Sequence, residues 1–562
     1  MGFQLSPGVN VSEIDLTTVV PSVLTTAGAF AGTFKWGPAN QVVLVDSEIS
    51  LSKTFGTPDS NSAISFFTAA NFLAYGNNLS VIRAIGANAK NAAANSSAAV
   101  KVDNSEVFQY SYLSANNTNS FGAFMARYPG ELGNSLAVHT IDSGPLFGSW
   151  TYSSYFPSAP GTSDYATSMG GTNDELHIVV VDANGRFSGT KGTVLETYPF
   201  VSKASDATIN GDTNYYKQVI FNRSKYIYAM DAVDYSNTAS TWGKTGDTTF
   251  ATLASAQVST LASGADDNPS DANTNIAYST FSNKETFDIS LVLTGSANTT
   301  VQQYVIDNVA NARKDCVAFI SPPSSAVINN NGNESSAIQT WLTNLARTSS
   351  YVVADSGWKY QYDVYNNAYR WIPLNGDVAG LCVNTDNVRD PWYSPAGFNR
   401  GQIKNAIKLA WNPKKTYRDS IYAAGVNPVV SFPGQGVVLF GDKTLQNKPS
   451  AFDHINIRRL FIVLEKAISN AAQYSLFEFN DEFTRAQFVA LVTPFLRDVQ
   501  GRRGITDFKV VCDTTNNTAQ VIDSNQFVGD IYIKPARSIN YIQLNFVAVG
   551  SGVEFTTVVG AV

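Results

Sequence analysis

The apolar positions fall into short strand-like runs over much of the chain, and the clearest helical stripes stand in its last third. The run from Ala27 to Trp36, closed by Gly37-Pro38, predicts a buried strand ending in a turn. A helix over 61–75 and a strand over 79–84 follow. Between 92 and 204 short strands alternate with Gly, Asn and Ser clusters, and Asn184-Gly185 predicts a hairpin turn. From about 215 to 388 the pattern becomes α/β. A helix there leads into a buried strand over 316–320, and a second hairpin turns at Asn366-Asn367.

In the last third, Ile457, Leu460, Phe461, Leu464 and Ile468 recur at helical spacing behind a capping Asp453. Asn480 or Asp481 caps a second helix, stopped by Gly501. Strands are predicted at 508–512, 530–534 and 539–549, with Leu544 and Phe546 on one face of the last. The two ends of the chain share this strand character. Val553, Phe555 and Val559 share one parity behind the hinge Gly550-Ser-Gly. Val9 and Val11 share one parity, and Ile14 takes the other, as across a bulge. A strand with no local partner is an arm for β-augmentation. The small C-terminal sheet carrying Phe508, Val510, Ile531, Ile533, Leu544 and Phe546 has few strands of its own and stands beside these two spare ones. The resulting division is an N-terminal arm 1–20, a first core segment 21–91 and an inserted β-rich block 92–204. An α/β core 205–390, an α+β assembly domain 391–550 and a C-terminal arm 551–562 complete it.

Composition narrows the function. The 562 residues are 44% hydrophobic but only 15% charged, a globular chain whose polar surface is carried by Asn, Ser and Thr. No apolar run is long enough to span a membrane, and no secretory signal opens the sequence. Three scattered cysteines do not make a disulfide framework. His139, His177 and His454 lie far apart without metal-ligand spacing, Trp242–Gly246 lacks the first glycine of a phosphate loop, and no nucleophile elbow is present. Catalytic, cofactor and metal sites are therefore expected to be absent. The charge is uneven: residues 391–562 hold 18 Lys and Arg against 13 Asp and Glu, whereas the rest carries a net −12. A basic stretch over 400–418 is predicted to include a helix over 402–411 with Lys404 and Lys408 on one face and Lys414 and Lys415 beyond it. An acidic protein partner or a solvated face fits it better than nucleic acid, because the chain as a whole is acidic.

Several stretches resemble the tail sheath proteins of contractile-tailed bacteriophages: SPGVNVSEID, ARYPGELGNSLAV from 126, VVDANGRFSGTKGTVLE from 180 and SPAGFNRGQI from 394. The strongest is the run GQGVVLFGDKTLQNKPSAFDHINIRRLFIVLEKAI from 434, continued by FEFND, FKVVCDTTNN and IYIKPARSINYIQLNF. The resemblance implies a mixed α+β and α/β multidomain sheath fold with an inserted β-rich domain. It implies a homo-oligomer of hexameric rings stacked on a tail tube, bounded by baseplate and tail terminator proteins. Such a sheath, assembled in the host cytoplasm as part of the virion tail, contracts to drive the tube through the envelope during genome ejection. Arms of neighbouring subunits complete its C-terminal sheet, with Phe508, Val510, Ile531, Ile533, Leu544 and Phe546 as the acceptor. The resemblance places the C-terminal domain innermost, and the uneven charge then predicts that Lys404, Lys408, Lys414 and Lys415 face the tube. Alternative readings are a phage-derived injection particle, a tail-type bacteriocin and, more remotely, a virion-borne polysaccharide hydrolase.

Overall fold

Predominantly apolar runs become strands covered on both faces. Gly28–Gly32, Leu291–Leu293, Val317–Ile320 and Val352–Asp355 are buried at every position, as a parallel sheet between two helical layers requires. This is a computed structural model that describes residues 23–95, 100–113, 121–231, 235 and 240–543. Its central sheet has seven strands in the order Val426–Asn427, Val352–Asp355, Val317–Ile320, Leu291–Leu293, Gly28–Gly32, Leu79–Arg83 and Val42–Val45. All pairings are parallel except the last, where the edge strand Val42–Val45 runs antiparallel.

Alternation along each strand builds two cores. Phe30, Leu293 and Phe319 pack with the helices Ala63–Leu73 and Asn375–Val388. Ala31, Val292 and Ile320 go to the other face, with Asp271–Ser279 and Glu334–Leu345. The first helix pair touches through glycine. A Cβ on Gly376 would stand 2.5 Å from the Thr68 carbonyl oxygen, and one on Gly380 would stand 2.3 Å from the Tyr75 ring. Beside this contact Lys359 Nζ donates to Asp377 at 2.9 Å, with both side chains fully buried. A buried charge persists only when paired, and the Lys359 ammonium also donates to the Lys404 carbonyl at 2.8 Å.

In chain order the β-rich block lies between Leu79–Arg83 and Leu291–Leu293, after three strands of the central sheet and before the other four. Its main sheet is antiparallel in the order Gln257–Thr260, Leu136–Ile141, Glu175–Asp182, Thr193–Ser202. A separate pair joins Phe124–Ala126 to Ile227–Ala229. Both sheets thus draw a strand from beyond 204, where the sequence pattern ends the block. The hairpin at 175–202 differs from the expected two-residue turn. Its loop, 183–192, is wound around the Asp182 carboxylate, which accepts from the backbone N–H of Arg186, Phe187 and Ser188 at 2.8–3.0 Å. A buried carboxylate that satisfies three amides selects a wide loop over a tight one. Arg83 connects block and core, donating to the carbonyls of Phe34, Gly37 and Pro129 at 2.8–2.9 Å.

The described residues up to Asn470 and those from Ala471 onward form two compact units. The helix Ile455–Ala472 carries the chain from one to the other. In the second unit the helix Glu482–Gly501 is capped by Asp481, which accepts from the Thr484 N–H at 2.8 Å. It buries Phe488, Val492, Leu496 and Val499 at one-turn spacing. The antiparallel strands Ile505–Val511 and Asp530–Pro535 follow. The third expected strand, 539–549, does not begin on schedule: residues 539–543 lie in no strand, and Leu544 and Phe546 fall outside the described residues. Ile539, Tyr541 and Ile542 are exposed, so alternation alone does not make a strand where no neighbour supplies the ladder.

Candidate assembly interface

The candidate acceptor is a hairpin with two different faces. Phe508 stands opposite Ile533 and Val510 opposite Ile531, so all four apolar side chains share one face. The other face carries Lys509 opposite Tyr532, and Asp507 opposite Lys534. The exposed Lys534 ammonium, 3.0 Å from Asp507, holds that carboxyl below its ordinary range. The apolar four are only half-buried. Among the described residues this sheet has two strands, so neither outer edge carries a ladder. Asn517 pins the base of the hairpin, accepting from the Val528 N–H at 2.9 Å and donating to its carbonyl at 2.8 Å. A two-stranded sheet is marginal in water, and free edges invite another strand. The structure therefore brings together Phe508, Val510, Ile531 and Ile533. The arm residues Val9, Val11, Ile14, Val553, Phe555 and Val559 lie outside the described residues.

The basic stretch is not the expected helix. Residues 402–411 turn at Asn405, whose φ is 54°, and then pair Lys408–Leu409 with the strand Trp358–Asp363. Their amides are committed elsewhere: Lys404 N–H to the Tyr75 hydroxyl, Ile407 N–H to Tyr360 and Ala410 N–H to Trp358. Once those donors join a sheet they are lost to a helical ladder. Lys404 and Lys408 accordingly share no helical face. Lys404 Nζ donates to the Ala74 carbonyl at 2.7 Å and lies 4.6 Å from the centre of the Tyr75 ring. Lys408 Nζ lies 5.0 Å from the Tyr360 ring and 5.6 Å from Trp371. Both side chains are exposed, and the rings fix where their charges stand.

Lys414 and Lys415 are elsewhere, exposed at the start of the helix Lys415–Ala423. Cations are unfavourable at that end of a helix dipole. One turn on, Arg418 lies 5.8 Å from both Phe432 and Phe440. Those rings and Phe398 form a trio with centroids 5.2–5.9 Å apart. The sequence pattern missed this cluster, because its members come from three separate segments.

The possible chemical groups are occupied structurally. His177 stacks on Phe156 with centroids 4.2 Å apart, and His454 lies 2.6 Å from Asp453. Cys316, Cys382 and Cys512 are free and buried, and burial pushes the Cys316 and Cys382 thiols up to about 12. Among the described residues no three His, Cys, Asp or Glu are placed to hold a metal ion, and no helix is long and apolar enough to cross a membrane.

Comparison with known proteins agrees with a structural reading. The chain is 34% identical to the tail sheath protein of Vibrio phage KVP40, covering 99% of this chain and 100% of that one. It is 32% identical to the tail sheath protein of Enterobacteria phage T4, covering 99% of each. In fold it is similar to the sheath tail protein of Listeria innocua, with a TM-score of 0.53, 11% identity and coverage of 92% of this chain and 97% of that one. The contracted sheath of an extracellular contractile injection system gives a TM-score of 0.51 at 12% identity, covering 97% of this chain and 98% of that one. The Tail sheath protein Gp18 domain III N-terminal region matches 25–84, the phage tail sheath protein central domain 285–445 and the phage tail sheath C-terminal domain 447–548. These matches leave out 85–284, most of which is the β-rich block, and within this framework the chain belongs to the phage tail sheath protein family.

Proposed function

We propose that this chain polymerises as stacked hexameric rings around a tail tube and contracts to drive the tube through the host envelope. The observation that carries this reading is the C-terminal hairpin, which has one apolar face and two edges without a ladder among the described residues. The strand-like ends of the chain, 1–20 and 551–562, add to that sheet in neighbouring subunits. A ladder bond contributes only about 0.5–1.5 kcal/mol net, but several per arm hold two subunits together while the bodies rotate. Contraction needs no catalytic group, because its work is the free-energy difference between two packings of the same subunits. We therefore read the chain as a non-enzymatic component of the virion tail, assembled in the host cytoplasm against baseplate and tail terminator proteins. Its inserted block lies on the outer face.

A chain truncated after Gly550 tests this. It should keep its thermal transition as a soluble monomer yet form no tubes by electron microscopy. Tubes of normal length from the truncated chain would falsify the arm. Lys404 and Lys408, positioned by their rings, are the tube-facing charges in this reading. Exposed ion pairs worth about 0–1 kcal/mol each hold a register and still release it. Reversing both should impair sheathing of tubes and spare polymerisation without tubes; normal sheathing yield would dismiss the assignment. A second reading follows from the fold shared with the contractile injection system sheath. Capsid and portal genes beside this one would decide for a phage.

A further inference from the structure

The segment 474–483 exposes a dense apolar surface. Tyr474, Leu476, Phe477, Phe479 and Phe483 are 63–106% exposed within ten residues. Phe477, the most exposed, has a φ of 70°. A bulky residue held in the left-handed region carries strain of about 1–3 kcal/mol, and such strain persists where a conformation is used. Aromatic side chains kept in water at that cost mark an interaction surface. The charges between them are all acidic: Glu478, Asp481 and Glu482, with no Lys or Arg from 474 to 484.

The opposite chemistry stands at the phenylalanine trio. Phe398 and Phe440 are 44% and 42% exposed, and Arg418 lies against two of the three rings. Lys414 and Lys415 add two cations at a helix end that disfavours them. Among the described residues Lys414, Lys415 and Arg418 make no ion pair. One patch is aromatic and acidic, the other aromatic and basic.

We infer that the 474–483 segment of one subunit docks on the Phe398, Phe432 and Phe440 surface of a second copy of this chain, with Glu478 and Glu482 meeting Lys415 and Arg418. Two different patches that recognise each other make a heterologous contact, which propagates into rings or helices instead of stopping at a dimer. The apolar centre supplies persistence, and the charges set register and partner choice. The inference rests on the sheath reading and adds to the arms a second link, which assigns Lys414 and Lys415 to a neighbouring subunit and not to the tube.

Charge exchange in the full-length chain tests it. The variant K415E/R418E carries two acidic patches, and E478K/E482K carries two basic ones. Lys415, Glu478 and Glu482 are exposed and Arg418 is half-buried against its rings, so K415E/R418E should stay close to the wild-type thermal transition. E478K/E482K, which places a cation at the start of the helix Glu482–Gly501, should lower it slightly. Each alone should raise the critical concentration for polymerisation about tenfold or more, a loss of roughly 1.4 kcal/mol per contact. Mixed in equal amounts they should copolymerise near the wild-type concentration, because each patch then meets its opposite on the other chain. Phe477→Ser should impair assembly without altering the monomer's thermal transition. Variants that polymerise alone as wild type does, or that fail to rescue each other, overturn the contact while wild-type tubes still support the sheath reading. Wild-type protein that never forms tubes removes both.

Discussion

The central sheet and the C-terminal hairpin show two ways of using β-structure in one chain. In the central sheet, Val317–Ile320 and Val352–Asp355 are buried at every position, with helices on both faces. In the hairpin, Phe508, Val510, Ile531 and Ile533 are half-buried, and the sheet is two strands wide among the described residues. The first completes its own core. The second leaves apolar area and ladder positions for something else to finish. In the proposed sheath the first is a body that moves without deforming, and the second is a joint shared between subunits.

Substitutions of one ring in each sheet separate them most sharply. Phe319→Ala empties a fully buried site in the central sheet, and should lower the unfolding free energy by about 3–5 kcal/mol in chemical denaturation of the monomer. A loss below 1 kcal/mol would mean that the central core is not the chain's stability reserve. The next effect is a pH dependence confined to the central sheet. Burial pushes the Asp355 carboxyl up to about 8, against hydrogen bonds from Ser321 and Gly357. In the unfolded chain it titrates near ~3.9. The folded state holds the proton that the unfolded state has lost. Stability is therefore highest below about 4 for this group and falls as pH rises through 8. Between pH 6 and 9 the loss should be about 2–3 kcal/mol, and Asp355→Asn should remove it. An unchanged slope in the variant refutes the assignment.

Phe508→Ala on the hairpin should be milder in the monomer, about 1 kcal/mol, because less area leaves water. Its larger consequence should appear as weaker polymerisation, seen by light scattering. Equal losses at Phe319 and Phe508 would erase the distinction between a finished and an unfinished sheet. The smallest effect is expected in the β-rich block. A short hydrophilic insertion between Thr190 and Lys191, both exposed and beyond the amides that Asp182 binds, should leave tubes unaltered by electron microscopy. Lost assembly with a folded monomer would remove the block from the outer face.

Which features were legible depended on how local their causes are. The helix Glu482–Gly501, capped by Asp481, has its start and stop in neighbouring residues, and the expectation matched it closely. So did the hairpin turning at Asn366-Asn367, where Asn367 takes a φ of 48°. The basic stretch failed for the opposite reason. Its spacing suits a helix, but Tyr75, Trp358 and Tyr360, distant in sequence, take its amides. The loop 183–192 failed similarly, since Asn184-Gly185 is a turn signal that the buried Asp182 overrides.

The alternation of buried runs, the Asp481-capped helix and the uneven charge could be read without the fold, because each follows from near neighbours and side-chain chemistry. Only the tertiary structure decided that Lys404 and Lys408 sit on separate rings, that Phe398, Phe432 and Phe440 converge beside Arg418, and that the hairpin is two strands wide among the described residues. Those outcomes depend on which distant segment reaches a given donor, ring or edge, and closing the chain between them is a cost that no local pattern records.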